Sequence, residues 1–94
     1  MTIAGHDAYS RSTKLAIDYL NPCDPIRLGT ILNSAIFSYE YLNSIETAQE
    51  MLRTAVREAR PELAELNDDE RSTALSILES IRTNLVLWGD DNTL

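Results

Sequence analysis

The stretch Asp24-Pro25-Ile26-Arg27-Leu28-Gly29-Thr30-Ile31-Leu32-Asn33-Ser34-Ala35-Ile36-Phe37-Ser38-Tyr39-Glu40 decides the fold. It opens with its own start signal. Asp24 is a good N-cap, and Pro25 fits the first helical position, where a missing N–H costs nothing. Leu28, Ile31, Leu32, Ala35, Ile36 and Tyr39 then recur at i, i+3, i+4, i+7, i+8 and i+11, the period of a helix with one apolar face. Asn43 and Ser44 end the run and open the next.

The same period continues on both sides. Upstream, a helix is predicted from about His6 to Leu20, with Ala8, Ser12, Leu15, Ala16 and Tyr19 on one face. Two prolines within Asn21 to Pro25 stop it. Downstream, a third helix begins after Ser44 on the stripe Ala48, Met51, Leu52, Ala55, Val56 and Ala59, and Pro61 should kink or shorten it. The fourth has the clearest start. Asn67 is the cap, and Glu70 completes a capping box three residues on. Asp68 and Asp69 complement the helix dipole. Leu75, Leu78, Ile81, Leu85 and Trp88 form its face, and Gly89 suits the position just past its end. The short linkers favour antiparallel neighbours. The reading is all-α: one domain over residues 1–94, an antiparallel array of four helices, with loose ends at 1–5 and 90–94. There is no internal repeat and no low-complexity segment.

Composition narrows the function. The chain has 94 residues, 44% apolar and 24% charged, with a net charge of −7. Acid repels phosphate backbones and anionic lipid heads, so no nucleic acid and no membrane are expected as partners. No apolar run nears the roughly 20 residues that a bilayer span requires, and Met1 to His6 lacks the pattern of a signal peptide. The single Cys23 forms no internal disulfide and offers no zinc-ligand spacing, which suits a reducing, cytoplasmic setting.

Several words in this sequence resemble the 14-3-3 family. Asp24-Pro25-Ile26-Arg27-Leu28-Gly29 is similar to its HPIRLG turn, and Leu32 to Glu40 is similar to its LNFSVFYYE. Leu42-Asn43-Ser44 repeats the family's LNS letter for letter. Asn84-Leu85-Val86-Leu87-Trp88 is similar to NLTLW, with Arg82 two residues before it, and Ala8-Tyr9 matches an AY pair. The words fall in order, without gaps, from Ala8 to about Asp90. Any one of them is weak; together they are specific.

The resemblance implies a nine-helix fold of which this chain carries the last four. It implies dimerisation through N-terminal helices, and binding of extended phosphoserine or phosphothreonine peptides in an amphipathic groove, with no metal and no cofactor. Carried over position by position, Asn33 and Asn84 match two asparagines that hold the peptide backbone. Glu40 and Trp88 match two further peptide contacts. Gly29, Leu32, Ile36, Ile77 and Leu87 match the apolar wall. Departures matter here. The family's phosphate pocket uses two basic residues of an early helix and an Arg-Tyr pair of a middle helix, positions that fall upstream of Met1. Ser76 and Ser80 stand where the family has leucines, Ser34 and Ser38 where it has aromatics, and Pro61 where it has an alanine. These changes imply a less apolar groove wall and remove the known basis for phosphate dependence.

The residues themselves permit the same chemistry. Gly29, Asn33, Ile36 and Glu40 step by four, three and four and share a face, as do Ile77, Ser80, Asn84, Leu87 and Trp88. An asparagine amide offers a donor and an acceptor, so one on each helix could hold the N–H and C=O of an extended chain without reading its sequence. Gly29 would let that chain approach closely. Plainer readings stand beside these. Asn33 and Asn84 could face solvent or bond their own helix. Glu40 could be a surface acid, paired with Arg27 or a residue on a neighbouring helix. Trp88 could be a packing residue at a helix end.

Other constellations carry less. Asp68, Asp69 and Glu70 are explained by the helix dipole without a metal. Cys23 and His6 lie in different segments with no oxyanion motif, so an enzyme is not expected. Arg53, Arg57 and Arg60 read as a solvated face paired with Glu46, Glu50 and nearby acids. Two functions compete: an adaptor that binds extended peptides, with or without phosphate, and a helical module that forms homo-oligomers through an exposed apolar face with Tyr9, Leu15 and Tyr19 at the interface.

Overall fold

A computed structural model of the chain describes residues 3–89, with side-chain surroundings from Ser10 onward. The described chain is all-α. Helix α1 spans Ile3–Tyr19, α2 Pro25–Glu40, α3 Ile45–Ala59 and α4 Asp68–Leu87, with a 3-10 turn, Arg60–Glu65, between the last two. The loose tail expected at 90–94 lies outside the described residues, and so do the side chains of His6, Ala8 and Tyr9.

The boundaries follow from the signals in the chain. The Asp24 carboxylate accepts the Ile26 N–H at 2.8 Å, with Pro25 at the first helical position. Asn43 adopts φ 57°, the left-handed region that asparagine tolerates better than most residues, and turns the chain into α3. Pro61 does what proline does: α3 ends at Ala59 and the chain tightens into the 3-10 turn. At α4 the capping box forms in full. Asn67 accepts the Glu70 N–H at 2.8 Å and Glu70 accepts the Asn67 N–H at 3.1 Å. Gly89 takes φ 86° just beyond the helix.

Helix α2 is the hub. It packs against α1, α3 and α4, whereas α1 packs against α2 alone among the described elements. The core gathers around Leu28, Leu52, Ile81 and Leu85, all fully buried. Removing one of these to alanine would cost roughly 2–5 kcal/mol through lost transfer energy and a residual cavity. The array measures 40 × 30 × 16 Å along its principal axes. Its thin dimension is less than two helix diameters, so both broad sides of α2 lie close to a surface.

The expected face of α1 is rotated, and that of α4 holds except at one position. On α1, Leu15 is 58% exposed and Tyr19 80%, while Ala16 is buried. The contact face of α1 runs through Thr13, Ala16 and Leu20, not along the Leu15–Tyr19 stripe. On α4, Ala74 is buried and Leu75 is half exposed, so the face is Ala74, Leu78, Ile81 and Leu85. In both cases a small residue fits close to a neighbouring helix where a larger one would not.

Candidate functional site

The nine candidate residues divide between α2 and α4, which pack directly on one another. On α2, Asn33 and Glu40 are exposed, and Gly29, Leu32 and Ile36 are half-buried. A Cβ built on Gly29 would meet nothing within 4 Å, so the space over that backbone is open. On α4, Ile77, Asn84 and Trp88 are half-buried, and Leu87 is 74% exposed.

The structure joins some of these residues and leaves others apart. Leu32, Ile77 and Trp88 rest on the same apolar core, together with Tyr39. Trp88 stacks on Tyr39 with ring centroids 4.4 Å apart and planes 7° from parallel. This fastens the C-terminal end of α4 to α2, next to Glu40. The Trp88 carbonyl also accepts Gln49 Nε2–H at 3.0 Å, which ties the same end to α3. Leu87 points away from this packing. Asn84 donates from Nδ2 to the Ser80 carbonyl one turn earlier at 3.0 Å. Its amide is therefore parked on its own helix, accessible but not free of bonds. Asn33 has no hydrogen bond to another described side chain, and Glu40 has no ion pair among the described residues.

Several surrounding residues behave differently from expectation. Arg27 does not reach Glu40. It is buried and donates to the carbonyls of Ile17 at 3.1 Å and Leu20 at 2.9 Å and to Glu58 Oε1 at 3.1 Å, binding the end of α1 to α2 and α3. Ser34 and Ser38 do not belong to the exposed wall of α2. Both are buried, and the Ser34 hydroxyl bonds to Thr13 of α1. Ser76 and Ser80 do lie exposed on α4. The expected pairing of Arg53 and Arg57 is present, with both meeting Glu50, at 3.0 and 3.6 Å. The Arg53 hydrogen bond holds the Glu50 carboxyl below the usual carboxylate range, aided by the charges of Arg53 and Arg57.

Two structural roles had no signal in the apolar pattern. Phe37, off the predicted stripe, is buried and tilted against Tyr41 at 5.5 Å. Arg71 donates to three carbonyls of the preceding turn: Leu63 at 3.0 Å, Leu66 at 2.7 Å and Ala64 at 3.4 Å. These carbonyls lie at the end of the 3-10 turn, where few N–H groups remain to meet them; that of Leu63 also accepts the Leu66 N–H at 3.2 Å.

Cys23 is buried, and its thiol donates to the Ala59 carbonyl at 3.1 Å. Burial, and then the charge of Glu62, raise its pKa above the ordinary 9.0. That is the opposite of an activated nucleophile. Among the described residues no cluster of three or more His, Cys, Asp or Glu could hold a metal ion, and no helix is long and apolar enough to cross a membrane.

The class defined so far is an all-helical array presenting two amides on adjoining helices beside a braced aromatic pair. Comparison with known proteins narrows it. The family model described as 14-3-3 protein matches residues 1–89. Proteins named 14-3-3 protein beta/alpha from Gallus gallus, Homo sapiens and Rattus norvegicus are each 39% identical over 85 residues, which is 90% of this chain and 35% of theirs. The chain belongs to the 14-3-3 family. It spans about a third of the length of these curated relatives.

Proposed function

We propose that this chain is a protein-binding adaptor module that holds an extended peptide segment across α2 and α4, with Asn33 and Asn84 gripping the peptide backbone. What carries the reading is the placement of the two amides. Both are accessible, on two helices that pack on each other, in a chain of the 14-3-3 family. Gly29, Leu32, Ile36, Ile77 and Leu87 would supply the apolar wall, and Glu40 and the edge of Trp88 would contact the peptide at one end. Asn84 would exchange its bond to the Ser80 carbonyl for one to the ligand, a trade between comparable hydrogen bonds. Phosphate would strengthen binding only through a basic group contributed from outside the nine residues. The partner is a phosphorylated or extended peptide segment of another protein, with no cofactor and no catalytic step, in the cytoplasm.

The test is fluorescence anisotropy with an arginine-rich peptide carrying phosphoserine and with the same peptide unphosphorylated. Binding of either peptide supports the adaptor reading, and a phosphate preference adds a basic pocket to it. No binding of either removes it.

A second reading draws on α1. Leu15 and Tyr19 are exposed on a helix that packs on α2 alone. Exposed apolar side chains of this size favour association, and copies of the chain would pair through that face as a homo-oligomer. Sedimentation equilibrium over a range of concentrations decides it.

A further inference from the structure

Helices α1 and α3 both lie on α2 without packing on each other among the described residues. Between them runs a cleft made of two adjoining hollows of about 470 and 390 Å³, both lined by Thr13, Ile17, Thr47 and Met51. Its floor is α2, through Ile31 at one end and Phe37 at the other. Each wall is one face of a helix. On α1 the lining residues step from Ser10 through Thr13 and Ile17, and on α3 from Thr47 through Met51 and Ala55. The cleft shares no lining residue with the nine candidates of the α2–α4 surface.

The rim of this cleft is acidic. Glu46, Glu50 and Glu58 stand along the α3 wall and Asp18 on the α1 wall, opposed by Lys14. Glu58 is bonded to Arg27, and Glu50 meets Arg53 and Arg57. Glu46 and Asp18 carry no ion pair among the described residues, and Lys14, one turn before Asp18, is the one basic residue that lines the cleft among them. From Glu46 to Glu58 the wall runs about 18 Å, the length of roughly a dozen helical residues.

We propose that this cleft docks a basic amphipathic helix of a partner protein. Two helical walls over a third helix leave a trough that a further helix fills by placing its apolar positions at i, i+3, i+4 and i+7 on Ile17, Met51 and Ala55. Lysines or arginines flanking that stripe meet Glu46 and Asp18, which sets the sign of the partner's charge. The hydroxyl of Thr47 on the α3 wall offers it a hydrogen bond, while that of Thr54 already donates to Glu50 at 3.4 Å.

The experiment uses the full chain, isotopically labelled, and two synthetic peptides of about 14 residues. One carries leucine at every third or fourth position with lysine elsewhere; the other has glutamate in place of the lysines. The expected result is binding of the lysine peptide at least roughly tenfold tighter than the glutamate peptide, with amide shifts at Ile17, Thr47 and Met51. Ile17→Asp abolishes binding, and Glu46→Lys weakens it severalfold. Glu79→Lys, an equal change of charge on the exposed side of α4, leaves it unchanged, as does Asn33→Ala. All four sites are at least partly exposed, and circular dichroism checks that each variant folds. The proposal is overturned if Glu46→Lys and Glu79→Lys weaken binding alike, which would be attraction to net charge alone. It is equally overturned if the two peptides bind alike or not at all, if the shifts map to Asn33 and Asn84, or if the free protein self-associates with Ile17 and Met51 at the interface.

Discussion

Trp88 lies flat on Tyr39, with ring centroids 4.4 Å apart and planes 7° from parallel, and so closes the end of α4 onto α2. The contact joins the last residue of the fourth-helix stripe to the last apolar residue of the second. It fixes the spacing of the two helices that carry Asn33 and Asn84. A stacked pair of this kind is worth about 1 kcal/mol beyond its buried area. A double-mutant cycle with Tyr39→Leu and Trp88→Leu, followed by urea unfolding, should return a coupling energy of about 1 kcal/mol. A coupling near zero would mean that the rings merely fill space independently.

Arg27 should matter more than its place in an apolar helix suggests. Its guanidinium meets two carbonyls of α1 and the Glu58 carboxylate while buried. Arg27→Met leaves those carbonyls without their donor and should cost roughly 2–4 kcal/mol. Glu58→Gln, whose side chain is 47% exposed, should cost under about 1 kcal/mol. Hydrogen exchange would show the larger effect first as lost protection in α1, the helix with the fewest packing partners.

The capping box at Asn67 is a local feature with a local cost. Asn67→Ala removes the acceptor for the Glu70 N–H and should lower stability by about 1 kcal/mol in urea unfolding. Asn67→Gly should cost only a few tenths.

Cys23 gives a pH dependence whose sign is fixed by its surroundings. Desolvation, followed by the charge of Glu62, raises the folded thiol's pKa above 9.0. Below that value both states keep the proton, and the contribution to stability is complete. As pH rises past it the unfolded chain loses its proton first, so stability falls until the folded thiol also titrates. Unfolding measured from pH 8 upward should show that decline, and Cys23→Ala should flatten it. A disulfide reagent should modify Cys23 slowly in the native protein and rapidly in urea.

The four helices and most of their boundaries were legible because their signals are local; the start of α1 was not, since the helix begins at Ile3, inside the end expected to be loose, and not near His6. Asp24, Pro25, Asn67, Glu70 and Pro61 act within one turn of where they stand. The helix faces were less so. Ala16 is buried as expected but its stripe partners Leu15 and Tyr19 are exposed, and Ala74 is buried in place of Leu75, because close approach of a neighbour rewards a small side chain and the apolar pattern counts only size and polarity. Ser34 and Arg27 are buried for a related reason: each is satisfied by a partner far along the chain, Ser34 by Thr13 and Arg27 by Glu58. For the site, the exposure of Asn33 and Leu87 agrees with the helical phase. The bond from Asn84 to Ser80 and the Tyr39 stack required coordinates.

The central claim is that Asn33 and Asn84 hold a peptide between them. It is tested most directly by the affinity of an arginine-rich phosphoserine peptide for the native chain, Asn33→Ala, Asn84→Ala and the double variant, by anisotropy at one salt concentration. Each single change should weaken binding by about tenfold, the worth of one or two hydrogen bonds, with the helical circular dichroism unchanged. Binding by the double variant equal to that of the native chain would contradict the account.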